Sequence, residues 1–105
     1  MLQEYGFDGL DLDFEFPAAQ DKTNFAKWVR DLYADLSPLG YELTAAVSAA
    51  EPKIREGLDV PTISANLDAI HMMSYDLHGS WETTADHHAP LYKRSWDTNL
   101  YVERR

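Results

Sequence analysis

Phe7-Asp8-Gly9-Leu10-Asp11-Leu12-Asp13-Phe14-Glu15-Phe16 alternates apolar and acidic side chains with a period of two until Pro17 ends the pattern. That period belongs to a β-strand, whose successive side chains point to opposite sides. One face then carries Leu10, Leu12, Phe14 and Phe16, and the other Gly9, Asp11, Asp13 and Glu15. Three carboxylates at i, i+2 and i+4 stand in a row, with neighbours roughly 7 Å apart by strand rise.

Moving outward, Asp21-Lys22-Thr23-Asn24 supplies cap residues before Phe25, Trp28, Val29, Leu32 and Leu36, which recur at helical spacing. Pro38 and Gly40 end that amphipathic helix. Residues 41–50, rich in alanine, read as a buried strand closed by Glu51-Pro52. A short helix is expected between Val60 and Leu67, opened by Asp59 and Pro61, and a last buried strand over 69–75. From Asp76 the chain reads as loop, and residues 99–105 are compatible with the start of a further helix. Strand, helix, strand, helix, strand is the order of a parallel α/β sheet.

The chain has 105 residues, a net charge of -9 and no cysteine. That charge repels phosphate backbones and anionic headgroups, and the few Lys and Arg are scattered, so neither nucleic acid nor a membrane surface is an expected partner. Without cysteine there are no disulfides, thiol nucleophiles or Cys-based zinc sites. No apolar run approaches the roughly 18 to 20 residues of a membrane span. The start, Met1-Leu2-Gln3-Glu4-Tyr5, lacks a basic region followed by an apolar stretch, so if the parent protein is secreted its signal lies outside this segment. No internal repeat or low-complexity linker divides residues 1–105.

The acidic row invites three readings. An exposed face of an antiparallel sheet is the commonest origin of alternating polar residues. A strand flanked by helical crossovers should instead be covered on both faces, where three unpaired carboxylates would be costly for structure alone. Like charges in such a row cannot all stay ionised cheaply, which is a route to a general acid. The third reading, an oxygen-rich Ca²⁺ or Mg²⁺ site, lacks the EF-hand glycine, because the sixth position from Asp11 holds Phe16. Catalysis stands ahead of metal on this spacing, and no metal or cofactor is expected.

Asp8-Gly9-Leu10-Asp11-Leu12-Asp13-Phe14-Glu15 resembles the Asp-Gly-x-Asp-x-Asp-x-Glu signature of glycoside hydrolase family 18 chitinases. Met73-Ser74-Tyr75-Asp76, followed by Leu77-His78-Gly79-Ser80-Trp81-Glu82, resembles the family's sixth-strand motif. The order and separation of the two motifs also fit, and the wording from Ala45 to Arg94 is most similar to animal chitinases, those of arthropods in particular. The resemblance implies a partial (β/α)8 barrel, about strands four to six with their helices, and makes residues 1–105 a fragment of a single catalytic domain. Such a barrel takes about 250 residues, so the rest of the parent barrel would be the segment's first partner. An isolated segment of this kind is expected to be poorly active.

Roles follow from the same resemblance. Glu15 matches the acid that protonates the glycosidic oxygen, Asp13 the residue that orients the substrate acetamido group, and Asp11 a buried carboxyl beneath it. Tyr75 matches the hydroxyl that holds the acetamido oxygen, and Asp76 a neighbour of the acid. Met73 would line the floor under the reacting sugar, Trp81 would offer an apolar face to a sugar ring, and Gly9 belongs to the same substrate-facing row. The implied activity is hydrolysis of chitin or chitooligosaccharide by substrate-assisted retaining catalysis, in an extracellular enzyme. A non-catalytic chitin-binding lectin, whose usual mark is a replaced Glu15, and an endo-β-N-acetylglucosaminidase are the alternatives. Phe14 and Phe16 stand where the family commonly has Trp and Tyr.

His71, His87 and His88 are read as non-catalytic. His71 is placed inside a buried strand, and the adjacent pair His87-His88 lacks the i, i+4 helical spacing that brings two imidazoles onto zinc. Trp28 and Tyr33 are expected to pack against the sheet.

Overall fold

The computed structural model describes residues 1–97. The elements run α1 (Leu2–Tyr5), β1 (Gly9–Leu12), α2 (Lys22–Leu36), a 3₁₀ turn (Ser37–Leu39), β2 (Glu42–Ser48), α3 (Glu51–Gly57), α4 (Val60–Ala65) and β3 (Ala69–Met73). The three strands form one parallel sheet in the order β1-β2-β3. The further helix considered for residues 99–105 lies outside the described residues.

Parallel strands need long crossovers, and the sequence supplies them at the expected places. Helix α2 begins after Asp21, whose carboxylate accepts from the Ala18 backbone N–H at 3.0 Å rather than capping the helix. It ends where Pro38 enters the 3₁₀ turn and Gly40 takes a left-handed φ of 77°. Helix α4 is capped as its sequence predicts: Asp59 accepts from the Thr62 N–H at 3.3 Å, and Pro61 sits in the first turn. Asp68 then fastens the start of β3, accepting from the Leu43 N–H at 2.8 Å and donating its own N–H to the Leu43 carbonyl at 2.8 Å.

Burial along β2 alternates strictly, with Leu43, Ala45 and Val47 buried and Thr44, Ala46 and Ser48 half-buried. The buried set joins Leu12, Phe25, Val29, Leu58 and Ile63 in one core between the sheet and the helices. Leu43 and Val29 are at 0% exposure, and full burial of such side chains contributes about 1.5–3 kcal/mol each. Register puts Asp11 beside Thr44, Ala46 beside His71 and Ser48 beside Met73, all on the sheet's other face.

The structure corrects several expectations. The first strand covers Gly9–Leu12, not 7–16. Beyond Leu12, Phe14 stacks on Phe25 of α2 with ring centroids 6.2 Å apart, and Lys53 of α3 sits 4.4 Å above the Phe16 ring, so this stretch turns away from the ladder. Glu51-Pro52 does not stop the chain but opens α3, with Pro in its first turn. The last strand ends at Met73, and Ala69 to Met72 are exposed, so His71 is not a core residue. Its neighbours on that face are Ala46 and the open side of the sheet, because no described helix covers it. Among the described residues the acidic strand is likewise covered on one face only. Trp28 is 46% exposed, touching Phe25 edge-on, whereas Tyr33 packs against the core as expected.

Candidate active site

Glu15 follows the end of β1, Ser48 ends β2, and Met73 ends β3, so the loops after three neighbouring parallel strands meet at one edge of the sheet. There Glu15, Phe16, Ser48, Lys53, Met73, Tyr75 and Asp76 line a cleft of about 320 Å³. Ligand sites of open parallel sheets and barrels are built at this carboxyl edge. Four residues singled out from sequence, Glu15, Met73, Tyr75 and Asp76, are therefore brought together. Glu15 and Tyr75 are both exposed to solvent along it.

Four others are placed elsewhere. Asp11 is exposed on the open sheet face rather than buried, and it accepts a hydrogen bond from the Thr44 hydroxyl, its partner in register. Asp13 is exposed and does not line the cleft. Gly9 also lies outside it; a side chain at this position would collide with the Glu42 carbonyl, so the glycine serves the close approach of β1 and β2. Trp81 is 64% exposed and borders a separate depression with His78, Glu82, Asp86, Trp96 and Asp97. Gly79 makes room for its ring, since a Cβ there would strike it.

Sequence reasoning passed over three further residues. Thr44 orients Asp11, and only the strand register shows it. Lys53 brings a cation to the wall beside Glu15 while resting on Phe16. His88, read as an unremarkable loop residue, places Nε2 at 2.6 Å from Asp76 Oδ1.

Beyond the cleft, the loop is fastened by charge. His78 Nδ1 lies 2.8 Å from Glu82 Oε2. Arg94 donates to Asp97 at 2.7 Å and also to Asp86, and its backbone N–H reaches Asp97 at 2.6 Å. These bonds hold both carboxyls below the usual carboxylate range, first through the Arg94 side chain and then through the N–H groups of His87 and Arg94 respectively. His78, Asp86 and Asp97 have ligand atoms within 4.8 Å of one another, yet a guanidinium already occupies the two carboxylates.

Three comparisons bear on this edge of the sheet. The family model described as Glycosyl hydrolases family 18 matches residues 1–104. The chain belongs to glycosyl hydrolases family 18. It is 47% identical over 109 residues to an endochitinase of Manduca sexta, an alignment covering 95% of this chain and 20% of that protein. Among solved structures, catalytic domain 2 of the Ostrinia furnacalis Group II chitinase superposes with a TM-score of 0.90 at 40% identity, covering 97% of this chain and 29% of that one. A mutant of the same domain, solved in complex with (NAG)5, gives 0.89 at 39% identity, with the same coverage of 97% and 29%. The chain thus spans under a third of each of these family 18 relatives, and its three parallel strands with their helices correspond to part of a barrel. Among the described residues no helix is long and apolar enough to cross a membrane.

Proposed function

We propose that residues 1–105 are part of a single chitinase catalytic domain that hydrolyses β-1,4-linked N-acetylglucosamine chains with retention, Glu15 acting as general acid and then base. One observation carries the reading: the carboxyl of Glu15 and the hydroxyl-bearing Tyr75 line one cleft at the carboxyl edge of neighbouring parallel strands. The family 18 relatives named chitinases, and the related domain complexed with (NAG)5, support the substrate class.

In this mechanism Glu15 donates its proton to the glycosidic oxygen as the C1–O bond breaks. The substrate's own 2-acetamido oxygen attacks C1 and forms an oxazolinium ion, so a second protein carboxylate is not needed as nucleophile. Water then attacks C1 and gives a proton to the Glu15 carboxylate, restoring the acid. Tyr75 holds the acetamido oxygen, Asp13 orients the acetamido group, and Asp11, aligned by Thr44, stands behind Asp13. Asp76 flanks the acid and Met73 lies beneath the sugar. These groups act by position and by stabilising developing charge. In the complete barrel the open face that bears Asp11 turns inward, away from bulk water. Trp81, projecting from the loop after β3, meets a sugar ring farther along the chain. The enzyme acts outside the cell, where chitin is found.

Proton NMR of the first products from a chitooligosaccharide tests the chemistry. Double inversion at C1 predicts the β anomer before mutarotation, and an initial α product would rule out acetamido assistance.

A further inference from the structure

Asp76 is the one described non-glycine residue with a positive φ, 51°. Aspartate tolerates that left-handed conformation better than most residues, but it is held only where the surroundings determine it. Those surroundings include His88 and the buried Leu77. The Leu77 N–H donates to the His88 carbonyl at 3.0 Å, which ties the two loop segments at the level of the backbone. The imidazole Nε2 then meets Asp76 twice, at 2.6 Å from Oδ1 and at 3.1 Å from the backbone N. When Nε2 carries a proton it donates to the carboxylate; when it does not, it accepts from the Asp76 N–H. Either form fixes the same residue.

The pair lies largely in water, with side-chain exposures of 70% for Asp76 and 61% for His88. A contact so exposed contributes little to folding. Its consequence is geometric, because Asp76 lines the cleft with Glu15 while His88, twelve residues farther on, stands outside that lining. We propose that His88 is a positioning residue: through Nε2 it sets the direction in which the Asp76 carboxylate faces the acid. This rests on the catalytic reading of the cleft and adds to it a residue that does not touch substrate.

The test uses the complete catalytic domain that contains this chain, with kcat and KM measured on a fluorogenic chitooligosaccharide. His88→Ala is expected to lower kcat about tenfold with KM within about twofold, as befits a misdirected group beside the chemistry. His88→Gln, whose side-chain nitrogen reaches the place of Nε2, restores kcat to within about threefold of wild type, and the shorter His88→Asn does not. In an Asp76→Ala background, His88→Ala has no further effect, since the two act as one unit. Wild-type kcat in His88→Ala, additive losses in the double variant, or equal losses in the Gln and Asn variants would each overturn the assignment. Glu15→Gln separates the two levels. If it is inactive while His88→Ala is fully active, only the His88 assignment falls; if it is fully active, the catalytic reading falls and His88 with it.

Discussion

Asp11 and Thr44 stand side by side in the β1–β2 register, and the threonine hydroxyl donates to the aspartate carboxylate on the open face of the sheet. Thr44→Val keeps the shape and removes the donor, so it is predicted to cost no more than about 1.5 kcal/mol of stability while lowering kcat several-fold. Chemical denaturation and steady-state kinetics of the complete domain, run in parallel, check both halves. The Arg94 cluster makes a different prediction. Asp86 and Asp97 are held below their usual range by Arg94, so the fastening is complete above the unfolded-state value, roughly pH 4, and is lost only as pH falls through the lower folded values. The Arg94 Nε–H chemical shift should therefore stay constant on acidification to about pH 4 and move toward the free-arginine position below it, whereas a change near pH 6 would contradict this linkage. Glu15, Tyr75, Asp76 and Met73 were legible as a group because two motifs name them. Thr44 and His88 were not, because a partner across a register or a loop is set by folding and leaves no local pattern.

At the scale of elements, both helices read from the sequence are present: α2, found by its period with buried Phe25 and Val29 although Asp21 does not cap it, and α4, opened by Asp59 and Pro61 as its cap residues predict. The reading failed where one residue type carries two meanings. Pro52 was taken as a stop, yet proline lacks an N–H that the first helical turn would leave unpaired anyway, and α3 starts there. The ends of β1 and β3 were also overdrawn. Alternation continues through Phe14 and Phe16, but those rings turn to Phe25 and Lys53 of the neighbouring helices. Periodicity reports facing, not the hydrogen-bonded ladder. The core between sheet and helices should respond as a packed interior: Leu43→Ala, at a site with 0% exposure, is predicted to cost about 2–5 kcal/mol in urea unfolding of the complete domain. A loss below about 1 kcal/mol would show that the site collapses without a cavity.

For the molecule as a whole, the parallel order β1-β2-β3 and its family 18 membership were both visible in the sequence, since the strand–helix alternation and the two motifs agree. What could not be read was exposure. A strand between crossovers is expected to be covered on both faces, but the described residues cover one, leaving Asp11 and His71 in the open. The proposed further strands belong at the free edges of β1 and β3, curling the bare face into the barrel interior, and the cleft edge holding Glu15 and Tyr75 is where their loops would complete the sugar sites. The claim beneath all of this is that the Glu15 proton breaks the glycosidic bond. Glu15→Gln keeps the size of the side chain and removes its acid, so the complete domain carrying it should hydrolyse a fluorogenic chitooligosaccharide at least about 100-fold more slowly than wild type. Equal rates in the two proteins would contradict the account.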